Sequence, residues 1–464
     1  MKARWLVWLV LAVFVSSATA TPALAAQGDR IVRTKNGLVG SIVINTLCIL
    51  RGCTVVGSLD TAPGQVQSGS LFLVRGLVDT VVTLLLNLLG IASIESDVLV
   101  PLRPAAPSAG EPQAPDGLWQ RTPMTYYGTV AWEGYLDQPA ADIVGVRDAH
   151  CRLEATGGGI VAVIDSGVDP DHPVLKPVLV GGYDFTRDVP GGNEMADLGQ
   201  ASVAVLDNAY RVNQASVAVL DQASVAVLDD SAHSGFGHGT MVAGVIRLVA
   251  PTAKIMPLKA FGADGKGYTS AILRAIYYAT NNGANVLNMS FSSPTSSPEI
   301  KRALENATSH GLIAVASVGN DGSSSLVYPA ALDNVVGVAS TSNDDRRSSF
   351  SNYGSQQVFV AAPGEAIITA YPWGSYAAGW GTSFSTPIVA GEAALLVGMK
   401  STATPSQASW AVSKAKPLLS LSLGYGRADL NLGIEAGRVL WPGASRSPVP
   451  DTCASSNIDW SPAQ

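Results

Sequence analysis

The stretch "GGIVAVIDSG", residues 158–167, decides the fold class of this chain. The apolar residues Ile160 to Ile164 follow one another without a break and lead directly into Asp165. A strand that is apolar on both faces is typical of a parallel sheet covered by helices on both sides. We therefore predict a doubly wound, mostly parallel α/β domain, whose functional residues lie beyond the carboxyl ends of the strands.

The same alternation of strand, loop and helix continues from about residue 118 to residue 437. Further apolar strands are predicted at 253–261, 284–290, 312–320, 334–340 and 357–364, and helices at 241–250, 268–283 and 297–311. The composition agrees with a large buried core, since 47% of the 464 residues are hydrophobic and only 14% are charged.

The charge balance excludes some classes of function. A net charge of −7 and an isoelectric point near 5.3 argue against a nucleic-acid-binding protein, which would present a basic face. The sequence contains no polybasic patch suited to a membrane surface. It shows no sign of oligomerisation, so we expect a monomer.

Residues 1–25 have the features of a secretory signal peptide. Lys2 and Arg4 precede an apolar run from Trp5 to Val15, and small residues suited to signal cleavage follow. The apolar run is short for a membrane span, and an N-terminal anchor helix is the weaker alternative. We predict a secreted protein, extracellular or periplasmic, with no membrane association after signal cleavage.

Export permits disulfide bonds, and the chain has four cysteines. Cys48 and Cys53 lie close together in sequence, whereas Cys151 and Cys453 lie far apart. Zinc binding is the weaker alternative because no C-x2-C pair and no histidine cluster accompanies them. We predict the bridges 48–53 and 151–453.

Before the α/β domain, residues 26–100 mix helix and strand signals in the manner of a small α+β domain. Strands are predicted at 40–50, 70–76 and 91–100, with a helix at Asp79–Leu89. Residues 101–117 are rich in proline, alanine and glycine and indicate an exposed linker. Residues 438–464 are rich in proline and serine and indicate a loosely packed tail.

An octapeptide, "QASVAVLD", interrupts the α/β pattern and occurs at 200–207, 214–221 and 222–229. Such units are too short and too few for a solenoid. We interpret them as a tolerated surface insertion, since loop length costs little free energy. Calcium binding by Asp207, Asp221 and Asp229 is the less favoured alternative.

Four polar residues lie where predicted strands end or helices begin. Asp165 and Asn320 each close a strand, and His238 and Ser383 each open a helix. Each alone has a structural explanation, as a turn residue or a helix cap. Together, at one rim of the sheet, they supply a carboxylate, an amide donor, a base and a nucleophile.

Three motifs around these residues resemble those of the subtilisin-like serine proteases (peptidase family S8): "VAVIDSG" at 161–167, "GHGTMVAG" at 237–244 and "GTSFSTP" at 381–387. The resemblance covers roughly residues 125–437. It implies a subtilisin-like fold and a serine endopeptidase.

The resemblance also implies a role for each polar residue. Asp165 would orient the imidazole of His238, which would take the proton of Ser383. Ser383 would attack the scissile carbonyl, and Asn320 with the backbone N–H of Ser383 would hold the oxyanion. No cofactor is implied for catalysis.

Substrate-binding segments are carried over in the same way, on "ADGKGY" (263–268) and "NMSFSS" (288–293). The implied residues are Gly265, Lys266 and Gly267 on an edge strand that pairs with an extended peptide, and Ser290, Phe291 and Ser292 on the wall of the specificity pocket. No ionised side chain lies within 288–293 or in "ASVGN" (316–320), so we expect apolar or small residues before the scissile bond. Ser292 replaces the usual glycine and would narrow the pocket.

The sequence departs from the family pattern in places that leave the triad intact. Val174 stands where many relatives have an aspartate calcium ligand, so we predict no calcium site there. Ile388 stands where a histidine is usual, and the repeats lengthen the stretch between Asp165 and His238.

By resemblance, residues 26–100 look like the inhibitor-type propeptide of this family, and "LLGIASIESD" (88–97) resembles its closing segment. An ordinary accessory domain is the alternative. We predict a self-processing precursor, inhibited by its own propeptide, that acts on polypeptide substrates and is cut within 100–125.

Two other functions are less consistent with the sequence. The first is a catalytically inactive relative acting as a surface binding or adhesion protein, but all four catalytic positions are intact. The second is a lipase or esterase, which would need a G-x-S-x-G motif and its serine before its histidine.

Overall fold

The computed structural model describes residues 28–35, 37–63, 69–77, 91–102, 114–198, 217–219, 234–419, 421–448 and 453. The predicted signal peptide, the predicted helix Asp79–Leu89, most of the predicted linker and most of the repeats lie outside the described residues.

The N-terminal unit, described within 28–102, is an antiparallel sheet of four strands in the order β2-β3-β1-β4, followed by a short fifth strand. Its elements are β1 (Arg30–Thr34), α1 (Gly37–Arg51), β2 (Thr54–Ser58), β3 (Leu71–Arg75), β4 (Ile91–Ser96) and β5 (Leu99–Pro101). The strands predicted at 70–76 and 91–100 are confirmed.

The strand predicted at 40–50 is wrong, because this segment lies inside helix α1. Its β-branched residues favour a strand, yet among the side chains that the structure describes the buried ones are Ser41, Ile44 and Cys48, spaced three and four apart as on one face of a helix. Ile49, on another face, is 71% exposed. The predicted bridge between Cys48 and Cys53 is confirmed and joins the end of α1 to the start of β2.

The large domain is built on an eight-stranded sheet in the order β10-β9-β12-β8-β14-β15-β16-β17, parallel except for the pairing of β10 with β9. Its strands are β8 (Ile160–Asp165), β9 (Tyr183–Asp184), β10 (Val189–Pro190), β12 (Lys254–Lys259), β14 (Val286–Met289), β15 (Ile313–Ser317), β16 (Val335–Thr341) and β17 (Val360–Pro363). Smaller strands are β6 (Pro123–Tyr126), β7 (Thr129–Trp132), β11 (Val217–Val219), β13 (Lys266–Tyr268), β18 (Ile367–Tyr371) and β19 (Ser375–Gly379).

Helices cover both faces of this sheet. They are α2 (Glu133–Leu136), α3 (Pro139–Val144), α4 (His238–Val249), α5 (Thr269–Asn281), α6 (Pro298–Ser309), α7 (Thr382–Met399), α8 (Pro405–Val412) and α9 (Leu430–Leu440). On the central strand β8, Val161 and Val163 belong to the apolar cluster that contains α4 and α7, whereas Ala162 and Ile164 belong to the cluster that contains α5 and α6. The predicted doubly wound α/β fold is confirmed.

Helix α7 is the core helix of the domain. Within the described residues it is the one helix long and apolar enough to cross a membrane, but 94% of that stretch is buried inside the protein. Its hydrophobicity therefore reflects burial in the core.

The N-terminal unit contacts the large domain through a short strand pair. Strand β5 pairs antiparallel with β13, with Val100 opposite Gly267. The N–H of Leu102 then donates to the carbonyl of Gly265 at 2.7 Å. The segment that begins the predicted linker, Pro101 and Leu102, is thus held along an edge of the large domain.

The large domain extends past residue 437, its predicted C-terminal boundary, because α9 continues to Leu440. The predicted bridge between Cys151 and Cys453 is confirmed. Of the octapeptide repeats, residues 217–219 form β11, which pairs antiparallel with β19.

Candidate active site

The predicted catalytic residues lie around the ends of neighbouring elements. Asp165 is the last residue of β8, His238 is the first residue of α4, and Ser383 is in the first turn of α7. Asn320 follows β15. Parallel strands carry their carboxyl ends to one edge of the sheet, and residues distant in sequence meet there for that reason.

Asp165 and His238 are directly hydrogen-bonded. The Nδ1 atom of His238 lies 2.7 Å from Oδ1 of Asp165, which also accepts the backbone N–H of Ser166 at 2.7 Å. The aspartate is fully buried, whereas the imidazole keeps 17% of its surface exposed. A carboxylate acceptor places the imidazole proton on Nδ1 and leaves Nε2 as the basic nitrogen.

The hydroxyl of Ser383 does not hydrogen-bond to the imidazole in the described structure. It donates instead to the carbonyl of Ser290 at 3.1 Å. The ring of Phe384, the following residue, lies with its centroid 5.8 Å from that of His238. Hydrogen bonds between a nucleophile and its base are often loose until substrate is bound.

Ser290 and Ser383 hold each other through two hydrogen bonds. Pro387 lies inside α7, and its missing N–H leaves the carbonyl of Ser383, four residues earlier, without a helical partner. The hydroxyl of Ser290 donates to that carbonyl at 2.9 Å. Ser290, predicted to line the specificity pocket, is 1% exposed and fixes the backbone of Ser383.

The amide of Asn320 is oriented by Thr382. Both the N–H and the hydroxyl of Thr382 donate to Oδ1 of Asn320, each at 2.9 Å. Two donors on that oxygen identify it as the carbonyl, so Nδ2 takes the other side of the amide.

A small space lies beside Gly381, next to Asn320 and Ser383. A Cβ at this position would be 3.3 Å from Nδ2 and 3.7 Å from Oδ1 of Asn320, and 3.7 Å from the backbone N of Ser383. The φ angle of +142° at Gly381 disfavours any other residue as well. The glycine therefore keeps open a space that an oxygen atom could fill.

The remaining predicted binding residues lie in or beside β13 and shortly after β14. Lys266 and Gly267 are in β13, and the carbonyl of Gly265 accepts the hydrogen bond from Leu102. Phe291 lines a cavity of about 290 Å³ together with Val100. Ser292 is 2% exposed.

Two buried ionisable residues lie behind the site that the sequence patterns do not identify. Glu194 is fully buried in the short helical turn Glu194–Asp197. The amine of Lys259 is fully buried at the end of β12 and donates to the carbonyls of Ser166 and Phe261 and to Asp197, each at 2.7 Å. A lysine closing an otherwise apolar strand was the one available signal.

Among the described residues, no three His, Cys, Asp or Glu side chains lie close enough together to hold a metal ion. Val174 is fully buried among apolar side chains, and its side chain offers no oxygen ligand.

Comparison with known proteins agrees with the geometry. The sequence profile of the Subtilase family matches residues 156–426. The chain belongs to the subtilase family. The predicted family is confirmed, and with it the assignment as a serine-type endopeptidase.

Individual subtilases match over about half of this chain. Subtilisin BL of Lederbergia lenta is 40% identical over 258 residues, which is 53% of this chain and 79% of the relative. Thermitase of Thermoactinomyces vulgaris is 34% identical over 249 residues, 52% of this chain and 75% of the relative. The crystal structure of a cold adapted subtilisin-like serine proteinase covers 59% of this chain and 90% of its own, with 28% identity and a TM-score of 0.48.

The hydrogen bond from Ser290 to the Ser383 carbonyl, which Pro387 leaves without a helical donor, can be tested by a double-mutant cycle. Ser290→Ala removes the donor to the Ser383 carbonyl and should destabilise the protein by about 1–3 kcal/mol, because a buried carbonyl is left unpaired. Pro387→Ala supplies an N–H to the same carbonyl, so Ser290→Ala should cost less in that background. Urea unfolding of the four proteins measures this coupling, and strictly additive effects would contradict it.

Proposed function

We propose that this subtilase is a secreted endopeptidase that forms an acyl-enzyme on Ser383 and is made as a self-processing precursor. The observation that carries the proposal is the Asp165–His238 hydrogen bond of 2.7 Å beside the first turn of α7.

Each catalytic group has a defined task. Nε2 of His238 takes the proton of the Ser383 hydroxyl as its oxygen attacks the carbonyl of the peptide bond. Buried Asp165 stabilises the imidazolium that results. The imidazolium then gives its proton to the leaving amine, and a water molecule, activated by the same imidazole, hydrolyses the acyl-enzyme.

The space beside Gly381 suits the oxyanion of the tetrahedral intermediate. Its two nearest nitrogen atoms, at 3.3 and 3.7 Å from the position of an added Cβ, belong to Asn320 and Ser383. Donors fixed before the reaction stabilise developing charge without reorganisation. Thr382 fixes the amide of Asn320, because its N–H and its hydroxyl both donate to Oδ1.

We infer polypeptide substrates, because an extended chain can pair with the edge strand β13. Its pairing with β5 supports binding of an extended chain through backbone hydrogen bonds, with little dependence on side chains. In β5 and the residue after it, Val100 and Leu102 are buried, whereas Leu99 is 47% exposed. We infer a preference for apolar side chains at the two buried positions.

The N-terminal unit acts as the propeptide and inhibitor in this proposal. Besides occupying β13, it places one carboxylate at the N-terminus of each of two helices. Asp97 accepts the N–H of Ser270 at 2.8 Å and its hydroxyl at 2.6 Å, and Glu95 accepts the hydroxyl of Ser297 at 2.6 Å and the N–H of Glu299 at 3.3 Å. These hydrogen bonds attach the N-terminal unit to the first turns of α5 and α6.

Ser383→Ala tests the proposed function directly. The wild-type precursor should be cut beyond Leu102 and then cleave casein, whereas Ser383→Ala should keep the N-terminal unit and lose about 10⁶-fold in kcat, the magnitude established for subtilisin itself. N-terminal mapping by mass spectrometry, in a host lacking other proteases, measures the processing.

Ser385→Ala is the matched control, since this serine lies in the same helix and is also buried. It should mature and cleave casein. Maturation of Ser383→Ala at the wild-type position would show that another protease does the cutting, and casein cleavage by the same variant would contradict the nucleophile.

Docking of the propeptide should weaken as the pH rises through about 6. Burial raises the pKa of Asp97 to about 6 against the hydrogen bonds from Ser270, which lower it. A carboxyl group whose pKa is raised on docking binds a proton more readily in the docked state than in the free state. The contribution of Asp97 to the affinity is therefore present at low pH and is lost as the pH rises above about 6.

The measurement is the rate at which activity appears after processing, between pH 5 and pH 8. Activity should appear faster at the upper end, and Asp97→Asn should flatten the dependence because the amide does not titrate. An unchanged pH dependence in Asp97→Asn would assign it to other groups.

A further inference from the structure

Glu194 is buried directly behind the catalytic pair and accepts three hydrogen bonds. Its Oε2 atom accepts the hydroxyl of Ser166 at 3.1 Å and the backbone N–H of Gly237 at 2.8 Å. Its Oε1 atom accepts the hydroxyl of Thr240. These three donors flank Asp165 and His238 in sequence, so one carboxyl group joins both segments of the triad.

Both hydroxyl groups are held in the donating orientation. The oxygen of Ser166 already accepts the N–H of Gly239 at 2.9 Å, and the oxygen of Thr240 accepts the N–H of Asp169 at 2.8 Å. Their protons are therefore directed to Glu194. A carboxyl group that accepts three bonds and donates none is arranged as a carboxylate.

Glu194 also lies at the N-terminal end of the helix that carries the imidazole. The cap residue of α4 is Gly237, which offers no side-chain cap. Its φ is +83°, and a Cβ there would meet the ring of Tyr371 at 2.4 Å, so the position is restricted to glycine. The hydroxyl oxygen of Ser166 accepts the first-turn N–H of Gly239 in place of a cap side chain, and the carboxylate of Glu194 accepts the N–H of Gly237 beside it.

A charge at this point acts on the catalytic base. The N-terminal end of a helix carries a partial positive charge that disfavours a cation there, and the imidazolium of His238 would form at that end. A carboxylate on the Gly237 N–H offsets this effect. It also prevents the backbone of the histidine from shifting.

We propose that Glu194 is a positioning residue of the catalytic site: its carboxylate fixes the start of α4 and favours the imidazolium form of His238 during the reaction. This inference rests on the catalytic roles proposed above. The residue touches neither substrate nor the reacting atoms and acts through His238.

The charge of Glu194 depends on pH. Burial raises its pKa to about 8, opposed by the hydrogen bonds from Thr240 and Gly237 and by the charge of Lys259, and reinforced by Asp165. The carboxylate therefore forms as the pH rises through about 8. The other titratable or charged groups around this network are Asp169, Asp197, His238 and Tyr371.

The test is the pH dependence of kcat for the processed enzyme on a chromogenic peptide with an apolar residue before the scissile bond. In the wild type, kcat should rise a second time with an apparent pKa near 8. Glu194→Gln should match the wild type at pH 6.5, where both side chains are neutral. At pH 9.5 it should be about 3- to 30-fold slower, with KM unchanged within about twofold.

Two further variants make the test specific. Thr240→Val removes one donor to the carboxylate and should move the second rise of kcat to higher pH. If Glu194→Gln does not fold, this shift serves as the test of the proposal. Glu392→Gln is the matched control, because Glu392 is a fully buried glutamate of α7 whose carboxylate has no hydrogen-bond partner among the described residues. It should keep the wild-type profile.

A wild-type profile in Glu194→Gln, or a loss of kcat equal at all pH values, would overturn the inference. The first result would show that the charge does not reach His238, and the second would show a merely structural role. Ser383→Ala is measured in parallel: activity in that variant contradicts the proposed function itself, whereas an inactive Ser383→Ala with an unaffected Glu194→Gln contradicts the role of Glu194 alone.

Discussion

The hydrogen bond between Asp165 and His238 is the constraint on which the site depends. It joins the end of a central strand to the start of a helix 73 residues later, at a distance of 2.7 Å. A buried carboxylate is costly unless its partners are in place. The surrounding structure supplies two partners, the N–H of Ser166 and Nδ1 of His238, both on Oδ1 of Asp165, and Glu194 and Lys259 hold the turn that follows. Oδ2 of Asp165 has no hydrogen-bond partner among the described residues.

The second half of the site is held by backbone chemistry. Pro387 removes the helical hydrogen bond to the carbonyl of Ser383, and Ser290 replaces it from the end of a neighbouring strand. Ser383 is thereby attached to the sheet. Thr382 adds a further tie to Asn320, so the first turn of α7 is connected to two strand ends.

The sequence predicts much of this because its local signals are strong. The apolar run before Asp165 establishes a two-sided parallel sheet, and the glycine-rich motifs around His238 and Ser383 identify the family. The prediction fails where local preference and tertiary packing disagree. The segment at 40–50 is rich in β-branched residues and still forms a helix, because its residues at three- and four-residue spacing pack on the strands. Glu194 could not be found, since its importance comes from donors that the fold assembles.

The central claim is that three distant side chains form one proton-transfer path that ends at a preformed oxyanion site. The most direct measurement is a crystal structure of the processed enzyme after reaction with an organophosphonate inhibitor. The account predicts an adduct on Oγ of Ser383, with Nε2 of His238 in hydrogen-bond contact and the phosphoryl oxygen about 3 Å from both Nδ2 of Asn320 and the backbone N of Ser383. An adduct on another residue, or a phosphoryl oxygen directed away from these two donors, would contradict it.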